Sequence, residues 1–136
     1  MREAYPRGEI RFAHHVPATV AIQRAAVVAG LAWLAPSHLC VHPAYGPWIA
    51  LRALVILDEP APPSPPRVPA PCDCAVGCGP ALERALAAGE PRSTQELRER
   101  WRLWLAVRDA CPVGREHRYS QEQIEFHYAG KIPGRE

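Results

Sequence analysis

Seven of the twelve residues from Pro60 to Pro71 are proline, and no other stretch limits the fold so strongly. Each proline lacks an amide donor and turns the residue before it away from helical backbone, so neither a helix nor a central strand can pass through. The stretch is expected to run as extended polyproline at about 3 Å per residue, a strap or a spacer able to cross most of a small domain. It divides the chain into an irregular N-terminal segment (1–19), a helix with two strands (20–59), the strap itself (60–71), and a cysteine cluster with a helical C-terminal part (72–136). At 136 residues, 48% hydrophobic and 22% charged, these parts suit a single globular domain with a modest core.

Before the strap, the apolar run from Val20 to Ala35 predicts a buried helix, capped by Thr19 and stopped at Pro36. "LCV" (39–41) and "WIALRALVIL" (48–57) predict two strands separated by the turn "HPAYGP". Both faces of the second strand are apolar, which predicts a central strand covered on each side. After the strap, Pro80 and Gly89 bracket a helix over "ALERALAA". "STQE" (93–96) predicts a capping box opening a helix to about Asp109, and "SQEQ" (120–123) a second one opening a helix that ends near Gly130.

Sixteen basic and fourteen acidic residues, interleaved, leave a net charge of +2, too little to predict a nucleic-acid or anionic-membrane surface. The apolar run carries Gln23 and Arg24 and is shorter than the roughly 20 residues of a membrane span. The opening residues lack the pattern of a secretion leader, so the expectation is a cytoplasmic protein with no membrane partner. In that reducing compartment five cysteines point to metal ligation, or to small buried apolar groups, before disulfides.

Three constellations could carry chemistry. Cys72, Cys74, Cys78 and Cys111 form a set of soft ligands whose last member precedes a proline, although the CxCxxxC spacing matches neither paired zinc-ribbon motifs nor ferredoxin runs. Arg52 lies on a strand face with Trp48, Ala50, Leu54 and Ile56, and Arg108 on a helix face with Leu97, Trp101 and Trp104. A guanidinium there needs an anion or an aromatic ring, either a ligand carboxylate or a side chain such as Asp109 or Glu122. His14, His15, His38, His42, His117 and His127 show no metal-binding spacing, and no phosphate loop, nucleophile elbow or framed carboxylate pair supports a kinase or hydrolase reading.

The stretch "AAVVAGLAWLAPSHLCVHPAYGPWIALRALVILDEP" resembles the cobalamin-binding module shared by the cobalamin-processing CblC (MMACHC) proteins, the epoxyqueuosine reductases and the reductive dehalogenases. "RWRLWLAVRDACPVGREHRYSQEQIEFHY" looks like the CblC segment with two tryptophans three apart, an RD pair and an RYSEEQ-type helix start. The resemblance, from about Ala21 to Tyr128, implies an α+β fold, a truncated flavin-nitroreductase-like (CblC-like) module with a small antiparallel sheet and packed helices. It implies base-off cobalamin bound by Gln23, Leu39, Cys40, Val41, His42, Tyr45, Gly46, Trp48, Trp101 and Trp104. It also implies a small thiol such as glutathione, its carboxylates held by Arg52 and Arg108. The activity implied is removal of the upper ligand by reduction or by transfer to the thiol, or handover of cobalamin.

The departures open two alternatives. Val27 stands where animal relatives have a histidine, and most of the family's N-terminal half is missing. A non-catalytic half-module completed by a second copy or a partner chain is therefore the second expectation. "CDCAVGC" falls where the reductases begin a cluster domain, so the third expectation is an iron–sulfur or zinc protein with ligands Cys72, Cys74, Cys78 and Cys111.

Overall fold

The computed structural model describes residues 8–13, 20–89 and 92–131; Thr19, His14 and His15 lie outside them. The chain forms a small α+β fold with two two-stranded antiparallel sheets and packed helices. Strand β1 (Glu9–Phe12) pairs with β4 (Ala53–Ile56), Glu9 opposite Ile56 and Phe12 opposite Ala53. Between them come helix α1 (Ile22–Val28), β2 (Trp33–Leu34) and β3 (Cys40–Val41), the last two paired with each other. After the strap follow α2 (Cys78–Ala87), α3 (Thr94–Glu99), α4 (Trp101–Asp109), a 3-10 turn (Arg115–His117), α5 (Gln121–Ile124) and a π-helical turn (Glu125–Ala129).

Several expectations from the sequence are corrected here. The segment 1–19 is not wholly irregular, because residues 9–12 find a partner in β4. The apolar run 20–35 gives only a seven-residue helix; its second half turns at Ala29–Gly30 and becomes β2. The strand expected over 48–57 is confined to 53–56, since among the described residues no strand lies beside 48–52. β4 is not a central strand either: β1 is its sole neighbour among the described residues, and Ile56 is exposed. The helix expected from Ser93 to Asp109 breaks at Arg100, which caps α3 and precedes α4.

The local signals behave as their chemistry requires. Ser120 Oγ accepts from the Gln123 amide (3.3 Å) and Gln123 Oε1 accepts from the Ser120 amide (3.0 Å), a complete capping box. Ser93 Oγ accepts from the Glu96 amide (3.1 Å), but the Glu96 carboxylate reaches back to the Arg92 amide instead (2.6 Å). The strap has no regular secondary structure and crosses the end of α1, where Pro65 lies against Gly30 with no room for a side chain between them.

Helix α4 is the wall between two cores. Val107, with Cys111 just beyond the helix, packs with Cys74, Cys78, Ala81 and Ala85 from the α2 side and with Val41. Trp101 and Leu105 pack instead with Trp48 and Ile124, covered by Tyr119, Tyr128 and Ala129. A third cluster joins Ala26, Ala32 and Cys40. None of the helices among the described residues is long and apolar enough to cross a membrane.

Candidate functional site: an arginine pair in an aromatic cavity

Arg52, immediately before β4, and Arg108, in the last turn of α4, line one cavity of about 350 Å³. Its remaining walls are Ile49, Ala50, Leu51, Tyr119, His127 and Tyr128. The Arg108 guanidinium carbon lies 5.5 Å from the Trp48 ring and 5.8 Å from each of Tyr119 and Tyr128, within the range of cation–π attraction. Trp48 and Tyr119 meet edge to face at 5.4 Å, and Tyr119 lies 5.5 Å from His127. Aromatic faces thus hold the arginine without neutralising it.

Neither arginine has a carboxylate partner among the described residues. Asp109, a candidate from the sequence, is taken by Arg118 in a two-pronged pair (2.6 and 3.0 Å), and Glu122 is exposed. Two buried donors, Arg108 Nε and Trp48 Nε1, have no hydrogen-bond acceptor among the described residues. Buried donors left unpaired are costly, and a ligand acceptor in the cavity would relieve that cost.

The electrostatics follow from this crowding. Burial lowers the pKa of His127, and the charges of Arg52 and Arg108 lower it further, so its imidazole is neutral at pH 7. Burial raises the pKa of Tyr128 even though Arg108 pulls the other way. The cavity combines two cations, a neutral imidazole and two phenols. That is a donor-rich lining for a small anion, above all a carboxylate, which a guanidinium can grip with two parallel hydrogen bonds.

Tyr119 and Tyr128 are wall residues that sequence reasoning did not single out, and His127, named there among six histidines without a metal spacing, joins them. The signal for Tyr119 is its place directly before the Ser120 cap. His127 and Tyr128 share the cavity although they are neighbours in sequence, and they sit on the π-helical turn, a distortion that recurs at functional sites.

The residues expected to face a corrin are distributed differently. Cys40, Val41, Gly46, Trp48 and Trp101 are buried, Leu39 and Trp104 partly so. Trp101 belongs to the core with Trp48, whereas Trp104 packs on the core of α2. Tyr45, 47% exposed, stacks at 4.8 Å on His42 and meets His117 edge-on at 4.7 Å. His42 Nδ1 accepts from the amides of Ala44 (3.1 Å) and Tyr45 (3.2 Å), which leaves the proton of the neutral ring on Nε2, pointed away from the turn. Gln23 donates to the His38 carbonyl (2.8 Å) and lines an open groove of about 530 Å³ with Ile22, Arg24, Leu34 and His38. A groove of that volume takes an edge of a large flat ligand rather than the whole of it.

The four clustered cysteines meet in the other core. The Cys74 sulfur lies 3.1 Å from that of Cys78 and 3.8 Å from that of Cys72. Cys111 sits beside Cys72 and Cys78, both of which oppose its ionisation, and burial together with these neighbours raises its pKa to about 11. Burial pushes Cys74 up still further. All five cysteines are free thiols; Cys40 stands apart, near the Gln23 carbonyl. No group of three or more His, Cys, Asp and Glu side chains among the described residues is already disposed to hold a metal ion. No protein-family model matches the chain, and no curated protein matches it either.

Proposed function

We propose that this protein handles cobalamin in the manner of the CblC proteins it resembles, on a nitroreductase-like module. The Arg52–Arg108 cavity takes the carboxylate end of a small thiol such as glutathione. What supports the reading is one observation: two arginines from opposite sides of the strap, picked out by the resemblance, converge on one aromatic cavity without an acidic partner among the described residues. Cobalamin, when bound, supplies the cobalt–carbon or cobalt–cyanide bond that is broken. The protein's part is to fix the thiol by its carboxylate, with Trp48, Tyr119 and Tyr128 excluding water around Arg108. The strip from Leu39 to Trp48 lies along the corrin.

The visible spectrum of methylcobalamin with and without the protein tests this reading. A shift to the base-off form, with thiol-dependent loss of the methyl group that weakens in Arg52→Ala and Arg108→Ala, is the expected result. An unshifted spectrum at saturating protein overturns it.

A specific feature favours a second reading, a half-module completed by a partner. The β1–β4 sheet has only two strands among the described residues, and Ile56 and Leu57, at the end of β4 and just after it, are exposed. An isolated two-stranded sheet is marginal in water, so a second copy or another chain would extend it. Light scattering decides the matter: a stable monomer at micromolar concentration removes this reading.

A further inference from the structure

The cysteine core is independent of the arginine cavity and carries its own chemistry. Cys72 and Cys74 lie two residues apart across a bend, and their sulfurs meet at 3.8 Å. The Asp73 carboxylate accepts from the Ala75 amide (3.0 Å) and fixes the bend that follows. Cys78 is the first residue of α2, one helical turn beyond Cys74. Cys111 arrives from the other direction, just past α4, held by its own amide to the Arg108 carbonyl (3.2 Å). The spacing CxCxxxC, unlike known ribbon or ferredoxin motifs, thus follows a turn leading into a helix that brings the Cys74 sulfur close to those of Cys72 and Cys78, with Cys111 reaching the same core from the end of α4.

We propose that Cys72, Cys74, Cys78 and Cys111 form a mononuclear tetrathiolate site for a divalent metal of the zinc type, which ties the end of the proline strap to the end of α4. The sulfur separations decide between metal classes. A tetrahedron with metal–sulfur bonds of about 2.3 Å has its sulfurs about 3.8 Å apart. Cys72 and Cys74 are at 3.8 Å already, and Cys74 and Cys78, at 3.1 Å, need only a small side-chain rotation apart. A four-iron cluster places an iron–sulfide cube between its ligands and holds them much farther apart than the sulfur separations of 3.1 and 3.8 Å seen here. The ligand set is all sulfur, with Cys74, Cys78 and Cys111 buried and Cys72 partly exposed, and four thiolates complete a tetrahedron as in structural rather than catalytic zinc sites. Arg115, whose Nε donates to the Cys111 carbonyl (3.3 Å), places a cation near the excess negative charge of four thiolates on a divalent ion. The fifth cysteine, Cys40, belongs to a different cluster and has no part in the site.

The test uses the full chain, reduced and stripped of metal, titrated with cobalt(II) chloride and then with zinc. The expected result is one cobalt(II) per chain with the intense visible bands of a tetrahedral thiolate complex, bleached by one equivalent of zinc. Cys40→Ser is expected to bind like the parent, while Cys74→Ser and Cys111→Ser lose affinity by more than the roughly tenfold to hundredfold that loss of an outer-shell partner costs. Because these two variants could also fail to fold, a second readout uses the Cys40→Ser protein, in which zinc is expected to protect all four remaining thiols from a thiol reagent. Weak octahedral cobalt spectra, binding unchanged in Cys111→Ser, thiols that zinc leaves reactive, or iron–sulfide bands after anaerobic purification would each overturn the proposal. None of these readouts depends on cobalamin.

Discussion

The backbones of Gly46 and Gly114 pass so close together that neither position has room for a Cβ. A methyl group on Gly114 would lie 2.5 Å from the Gly46 nitrogen, and one on Gly46 would run into the Val113 carbonyl. Both residues also have left-handed backbone, φ 58° and 65°, which only glycine adopts without strain. This joint seats the turn from His42 to Gly46, closed by two mutual backbone hydrogen bonds (2.8 and 2.9 Å), on the loop that follows Cys111. It links the strip proposed for the corrin to the cysteine core. Gly114→Ala is expected to lower stability by at least about 2 kcal/mol, strain and collision together, read as a lower urea midpoint.

Removing either cavity arginine separates ligand binding from folding. Arg108→Ala deletes a cation whose Nε is buried without an acceptor among the described residues, so its effect on the melting temperature is expected to be small. Each lost charge-assisted hydrogen bond to a bound carboxylate costs about 1.5–3 kcal/mol, or roughly tenfold to a hundredfold in affinity. Calorimetric titration with glutathione checks this in Arg52→Ala and Arg108→Ala. Equal affinity in both variants and the parent rejects the cavity as the carboxylate site.

His127 sets a pH dependence of definite sign. Its folded-state pKa lies below the usual 6.5 because of burial and the two arginines, so below that value the unfolded chain binds the proton more readily than the native one. Stability is therefore expected to fall as the pH drops through and below 6.5. A bound carboxylate acts in the opposite direction, raising the pKa of the imidazole, so anion affinity is expected to increase over the same interval. Comparing the parent with His127→Gln isolates both effects, since the variant should lose each slope.

The Ser120–Gln123 capping box positions the helix that carries His127 and Tyr128. Ser120→Ala is expected to cost about 1 kcal/mol. It should also weaken glutathione binding, because the π-helical turn hangs from α5; circular dichroism melts and the same calorimetric titration read the two consequences.

Local chemistry determined what was legible in the sequence. The proline strap, the helix bounded by Pro80 and Gly89, and the serine caps at positions 93 and 120 each rest on groups within a few residues of one another, so no distant partner could overrule them. Pairing did overrule the apolar patterns: a strand exists only where another lies beside it, and this confined "WIALRALVIL" to residues 53–56 opposite 9–12. The apolar run 20–35 likewise satisfied its second half through β3 rather than through more helix. The candidate sites divide in the same way. The sequence marked Arg52, Arg108 and the four clustered cysteines as residues needing partners. Only the tertiary structure decided which partners they meet, because α4 turns Arg108 toward Trp48, Tyr119 and Tyr128, and carries Cys111 to the sulfurs at the start of α2. These are contacts between segments far apart in the chain, fixed by the burial of two separate cores against one helix.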